Sequence, residues 1–349
     1  MPPTFSSGFT QCFPPAPAFA EKDVPGLTGK VYIVTGATSG IGREIARILY
    51  SRNATVYLAG REESDTIQHI KKAEPRSAGV LVFLPLDLSD LRSVKTAAKR
   101  FLAAETRLHV LFNNAGVMTA DDGPGGMERT AQGYEMQLGV NCLGPFLFTK
   151  LLMPTLLATA ADKSGGITHT HTHDVRVVFV SSFGAEMFHE PGIGIDLDNL
   201  DYHNDPQNRA CTAMASAKSA SGRTGSSSPS GSPPPPPTRG REEGEGEGVL
   251  GVPVNPGNLR SGLFARQGLL LRLQVALLHY PAVQGAYTEL FAAFSPEVTP
   301  GTAGYVVPFG RLRPICEELR RAARPEEEGG ADLARRFWEW SEEQVAPFA

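Results

Sequence analysis

The stretch "TGATSGIG", Thr35 to Gly42, stands where the β-branched run "VYIVTG" gives way to "IGREIARILYSR", whose apolar residues recur at helical spacing. Glycine at such a junction lets the backbone turn sharply and approach a phosphate closely. The helix N-terminus behind it offers unpaired N–H groups and the positive end of a dipole. Gly36, Thr38, Ser39, Gly40, Ile41 and Gly42 are therefore candidate contacts for the diphosphate of a dinucleotide. A plain strand–helix turn also uses glycine, so this stretch alone leaves both readings open.

Working outward from it, "ATVYLAG" and "VLVFLPLD" read as buried strands, with a charged helix over 61–76 between them. "LRSVKTAAKRFLAAE" is amphipathic, and "LHVLFNNAG" is a strand running into a turn. A long helix through "QLGVNCLGPFLFTKLLMPTLLATA", the strand "VRVVFVSS" and a last strand in "GVLGVPVNPG" complete the pattern. Continuous apolar strands alternating with helices predict an α/β fold, a doubly wound parallel sheet covered on both faces. The expected organisation is an N-terminal arm on the surface over 1–28, one nucleotide-binding domain over 29–315 and a C-terminal helical extension over 316–349.

A net charge of −4 over 349 residues gives no electrostatic case for nucleic acid or an anionic membrane surface. The four cysteines, Cys12, Cys142, Cys211 and Cys316, lack metal or disulfide spacing. The opening residues have no basic region leading into an apolar stretch, so no secretory leader is expected. No run reaches the ~18 apolar residues of a membrane span. "GLLLRLQVALLHYPAV" comes closest but carries Arg272 near its centre. A cytoplasmic protein is the expectation, with a homo-oligomer left open.

Two segments break the pattern. "THTHTH", 168–173, sets His169, His171 and His173 on one side of an extended chain, a spacing that could hold a metal. It lacks a supporting carboxylate set other than Asp174, so a solvated loop is expected and no metal site is assigned. The second break is the low-complexity segment 219–248, with five consecutive prolines at 233–237 followed by "REEGEGEG".

Gly36, Gly40 and Gly42 match the TGxxxGxG spacing of the short-chain dehydrogenase/reductase family, which this chain resembles over about 30–315, excepting 214–248. "LFNNAG" (Asn113, Asn114, Ala115, Gly116), "VNCLG" (Asn141), "VVFVSS" (Ser182) and "NPGNLRSG" fall into that family's order. The subgroup of retinol dehydrogenases and WW-domain oxidoreductases is similar in "VYLAGR", "LDLSDLRSV" and the insert after the serine. The resemblance implies a single Rossmann domain that oxidises an alcohol or reduces a carbonyl on a small-molecule substrate. It implies Asp87 and Leu88 at the adenine, Asn114, Ala115 and Gly116 along the coenzyme, and Pro256, Gly257 and Ser261 at the nicotinamide end. At the end of the second strand, Gly60 and Arg61 stand where an acidic residue would accept from the ribose 2′-OH of NAD. A guanidinium suits a 2′-phosphate, so NADP is the expected coenzyme and NAD the alternative. Arg61 as a solvated loop charge is the bland reading. Residues 262–295 either cover a hydrophobic substrate or simply pack on the core.

In that family a tyrosine gives the proton, and a lysine four residues later lowers its pKa and binds the ribose. Ser182 would hold the carbonyl oxygen, and Asn141 would help order a relay water. Lys218 fits the lysine, yet Met214 occupies the position four before it, and Tyr202, the nearest tyrosine, has Pro206 four residues on. Losing a positioned general acid costs ~10²–10⁴ in rate. A catalytically inactive nucleotide-binding or scaffold protein is the rival reading.

From Met214 to Val249 the chain has the length of the helix and loop that the family places there, so the Pro/Ser/Gly run reads as a substitution, not an insertion. Proline costs ~3 kcal/mol at each interior helix position, so no helix is expected at 233–237. One possible back-translation from Gly225, read two bases later, gives Ile-Leu-Phe-Ala-Val-Arg-Leu-Ala-Ala-Ala-Ala, a good helix. A reading frame shifted across roughly 214–240 is the expectation, with tyrosine in an intact relative.

Overall fold

The computed structural model describes residues 5–63, 65–118, 128–162, 175–187, 196–200, 248–260, 279–300, 302 and 304–349. Lys218, Met214, Ser261, the three alternating histidines and all of the segment 219–248 but its last residue lie outside them.

The first strand shows why the sheet forms. In β1 (Val31–Thr35), Val31 and Ile33 pack on one face while Tyr32 and Val34 pack on the other. Successive side chains of a strand point to opposite sides, so an unbroken apolar run demands cover on both. α2 (Gly40–Ser51) supplies it on one face through Ile45, Ile48 and Leu49. β2 (Thr55–Gly60), α3 (Thr66–Ala73) and β3 (Val80–Pro85) follow. α4 (Leu91–Ala104) covers the opposite face with Val94 and Phe101, ahead of β4 (Val110–Asn113). The short α5 (Met136–Leu138), a π-helical turn (Gly139–Leu143) and α6 (Gly144–Ala161) run on continuously beside α4 and lead to β5 (Arg176–Val180) and α7 (Gly184–Met187).

β6 (Leu250–Val254) is followed by α8 (Ala282–Phe294), β7 (Tyr305–Val307) and β8 (Arg311–Arg313). The strand order is β3-β2-β1-β4-β5-β6-β7-β8, parallel throughout except for antiparallel β8 at the edge. β6 is thus not the last strand: β7 and β8 are three-residue strands, too short to give a periodic signal. The second helix is shorter than the 61–76 expected from its charges and occupies Thr66–Ala73.

α8 carries Ala286, Leu290, Phe291, Ala292 and Ala293 into the same core as α2. Of the two readings of 262–295, packing on the core accounts for this part. Its C-terminus is closed by Arg176 of β5, whose buried guanidinium donates to the carbonyls of Ala292 (2.8 Å) and Ser295 (3.1 Å). A cation there satisfies carbonyls that the helix leaves open.

Residues 19–27 contribute to the core. Phe19, Val24 and Leu27 are buried in the α2-side core, and Arg47 of α2 pairs with Glu21 at 2.9 Å. α1 (Phe5–Cys12) precedes them. At the other end, α9 (Glu317–Ala322) and α10 (Leu333–Val345) form the C-terminal extension. Leu333 and Phe337 pack with Leu138 and Cys142, and Trp338 lies edge-on to Phe146. α10 therefore buttresses the helical run Met136–Ala161. That run is long and apolar enough to cross a membrane, contrary to the expectation that none is, and most of it is buried in the fold; the segment around Arg272 lies outside the described residues.

Candidate active site

The order of the strands reverses between β1 and β4, and in open α/β sheets the crevice at such a point takes ligands at the carboxyl ends of the strands. β1 ends there in Gly36, at φ +67°, and Gly40 opens α2 at φ +54°. Both need the left-handed region that glycine occupies without strain. A Cβ added at Gly42 would lie 2.5 Å from the Gly36 carbonyl oxygen and 2.6 Å from Asn114 Nδ2. Helix and strand thus approach closer than any side chain permits. Ser39, the N-cap, makes no side-chain cap, so the first-turn amides of α2 are left to bind something else. The carbonyl of Thr38 accepts from Thr66 Oγ1 at 3.0 Å, which fixes the outer rim of the turn.

The turn after β4 is locked to this one. Asn114 Nδ2 donates to the Thr35 carbonyl at 2.7 Å, and the Ala115 N–H donates to Thr35 Oγ1 at 3.0 Å. Asn113 turns the other way and donates to Thr149 Oγ1 of α6. Gly116 is exposed beyond them. Towards the other edge, Gly60 abuts Thr38, and Arg61 follows it, exposed. After β3, Asp87 Oδ1 accepts from the N–H and hydroxyl of Ser89 at 2.9 and 2.7 Å, and Leu88 is buried. Arg61, Asp87 and Leu88 thus share the β2–β3 side.

Asn141 sits in the π-helical turn, a feature common at functional sites. Its side chain is buried and both ends of its amide meet Val117: Oδ1 accepts from the Val117 N–H at 2.8 Å, and Nδ2 donates to the Val117 carbonyl at 2.9 Å. Its amide therefore fixes the chain leaving β4.

Ser182 is half-buried just past β5, with Oγ accepting from the Gly184 N–H at 3.1 Å. The phenol of Tyr305 on β7 donates to the Ser182 carbonyl at 3.0 Å. Burial, reinforced by the Glu186 carboxylate, pushes that phenol well above its ordinary range. The β6 loop carries buried Pro256 and then Gly257, at φ +100°, whose N–H donates to Asn255 Oδ1 at 3.0 Å. The Arg260 N–H donates to the Tyr280 carbonyl and the Tyr280 N–H to the Asn258 carbonyl, so Leu259 and Tyr280 form a parallel bridge on this loop. Leu259 and Ile41 meet over Gly285 of α8, which joins the β6 loop to the first turn.

Gly36, Gly42, Asn114, Asn141, Ser182 and Gly257 thus come from the carboxyl ends of adjacent strands or the helix beside them. The reading of the residues missed Thr35 and Tyr305, which act through their neighbours' backbones. It also missed Gln11, Glu186 and Asn255, a buried polar chain whose members are far apart in sequence. Thr35 alone had a signal, its place at the end of β1.

A family model described as short chain dehydrogenase matches residues 30–187. The short-chain dehydrogenase/reductase bet4 of Neocamarosporium betae is 43% identical over 347 residues, spanning 98% of this chain and 94% of its own. A short-chain dehydrogenase/reductase of Phomopsis amygdali is 44% identical over 352 residues, with 99% and 98% covered. Among solved structures, Pseudomonas aeruginosa RhlG in its NADP active-site complex is similar at a TM-score of 0.54 and 19% identity, covering 80% of this chain and 95% of that one; this likeness concerns the fold. Likeness along nearly the whole length to the two fungal relatives, on a sheet of this order, makes the chain a member of the short-chain dehydrogenase/reductase family of oxidoreductases.

Proposed function

We propose that the protein binds NADP in the crevice between the β1 and β4 turns and serves the interconversion of an alcohol and a carbonyl on a small hydrophobic substrate. The observation that carries this reading is the cradle at Gly36 and Gly42, which a single Cβ would fill, beneath the uncapped N-terminus of α2. A diphosphate needs close backbone approach and free N–H donors, and this cradle offers both. The bound nicotinamide would supply or accept the hydride. Arg61 would bind the 2′-phosphate, with a guanidinium where an NAD site would place a carboxylate. Asp87 and Leu88 would line the adenine, Asn114, Ala115 and Gly116 the coenzyme's middle, and Pro256, Gly257 and Ser261 the nicotinamide end. Lys218 would bind the ribose hydroxyls, and Ser182 would hold the substrate oxygen. Asn141, its amide bonded to Val117, would help order a relay water. Support for an apolar substrate is confined to "GLFARQGLLLRLQVALL", 262–278, because α8 directs its apolar residues to the core.

One observation favours a second reading, an inactive nucleotide-binding protein: Met214 stands four residues before Lys218 and has no proton to give. We attribute the methionine and the proline run after it to a shifted reading frame across roughly 214–240. Transcript sequencing through Met214 tests this directly, and an unshifted transcript would rule out an error in the gene model. An active enzyme consumes NADPH with hydrophobic carbonyls, read as lost absorbance. The inactive binder takes up NADPH, read by fluorescence, without turnover.

A further inference from the structure

α1 is held in an unusual way. Phe9, and Phe13 just past its end, are 55% and 59% exposed and 5.1 Å apart, whereas Gln11 is buried at 2% exposed. Among the described residues of α1, the buried anchor is polar. Both ends of the Gln11 amide are engaged. Nε2 donates to Glu186 Oε2 at 2.8 Å, and Oε1 accepts from Asn255 Nδ2 at 2.9 Å. Asn255 Oδ1 in turn accepts from the Gly257 N–H, and Glu186 lies on the turn that follows Ser182. Gln11 therefore bridges the serine loop and the β6 loop, which emerge from neighbouring strands.

The attachment of the N-terminal segment does not require this bridge. Phe19, Val24 and Leu27 are already in the core, and Arg47 holds Glu21. α1 is further fixed by Arg311, which donates to the Thr10 carbonyl at 2.7 Å, and by Gly8, where a Cβ would come within 3.2 Å of the Phe183 ring. A fully satisfied buried polar chain adds specificity of position, because each member tolerates only a narrow geometry.

We propose that α1 is a working part of the active site and that Gln11 is a positioning residue, setting the β6 loop against the serine loop where the nicotinamide end of the coenzyme would lie. This rests on the reading of those two loops given under the proposed function.

The test compares two probes on the full-length chain: NADPH, which spans the site, and adenosine 2′,5′-bisphosphate, which reaches only the β1–β3 side. Gln11→Ala is expected to weaken NADPH about tenfold, the scale of one lost hydrogen bond to a charged group, and to leave the bisphosphate unchanged. Gln11→Glu alone sets two carboxylates together and should also weaken NADPH. The double variant Gln11→Glu with Glu186→Gln exchanges amide and carboxylate, keeps both bonds, and should restore wild-type affinity. If Gln11→Ala does not fold, that single and double pair decides. NADPH affinity unmoved in the single variants, both probes weakened together, or no rescue by the exchange would overturn the proposal. If the wild-type chain binds neither probe, the coenzyme reading itself fails and this role falls with it.

Discussion

Asn114 donates its side-chain amide to the carbonyl of Thr35 across 2.7 Å, so the turn after β4 is tied to the turn after β1 at the point where the sheet order reverses. The bond is side chain to backbone, and it leaves the strand ends fixed relative to one another before any ligand arrives. Asn114→Ala removes the donor and strands a part-buried acceptor, at a cost of ~1–3 kcal/mol. Its expected signature is a lower unfolding midpoint in urea together with NADPH affinity reduced about tenfold.

Gly42→Ala adds a methyl group 2.5 Å from the Gly36 carbonyl oxygen, where backbone must give way. Overpacking of this kind costs ~1–3 kcal/mol. The turn that must open is the proposed phosphate cradle, so coenzyme binding should fall further than stability does. Calorimetric titration beside a thermal melt measures both, and intact NADPH affinity in this variant would show that the cradle does not hold the diphosphate.

Arg61 is exposed just past the end of β2. Arg61→Ala should leave stability within ~0.5 kcal/mol. It should weaken NADPH by about tenfold or more, since charge-assisted hydrogen bonds are worth ~1.5–3 kcal/mol, while NADH affinity stays level. Equal losses for both coenzymes would assign the 2′-phosphate elsewhere.

The buried phenol of Tyr305 titrates above its ordinary value of ~10 because the folded state disfavours the phenolate. Its contribution to stability is therefore complete below about pH 10 and is lost as the pH rises from there towards the folded value, because the unfolded chain releases the proton first. Tyr57, raised by burial and by its bond to Glu105, acts in the same direction. Tyr305→Phe should cost about 1 kcal/mol near neutrality for the bond to Ser182 and should flatten the alkaline decline. Urea unfolding at about pH 8 and about pH 11 reads both effects.

The strands β1, β2, β4, β5 and β6 were legible because they are buried on both faces, which writes an apolar run into the sequence, and edge strand β3 keeps that run by burying Leu81 and Leu84 on opposite faces. Helices α2 and α4 were legible because one face meets that sheet and the other meets water. β8 was not: Arg311 and Arg313 are half-buried on an edge, and such a strand has no apolar signature. α1 was not either, since "FSSGFTQC" combines weak helix formers with a buried glutamine, and its anchors, Glu186 and Asn255, lie 175 and 244 residues away. The glycine, Asn114 and Ser182 positions could be named from the sequence because the proposed coenzyme chemistry asks for those residue types at that spacing. The hydrogen bonds that aim them could not, since Thr35, Val117 and Tyr305 contribute groups that any sequence would supply or that many residues could replace.

Calorimetric titration of the folded full-length chain with NADPH and with NADH tests the central claim most directly. The account predicts one saturable site per chain that takes NADPH more tightly and is abolished by Gly42→Ala. A chain that unfolds cooperatively, and so is folded, yet binds neither coenzyme would contradict it.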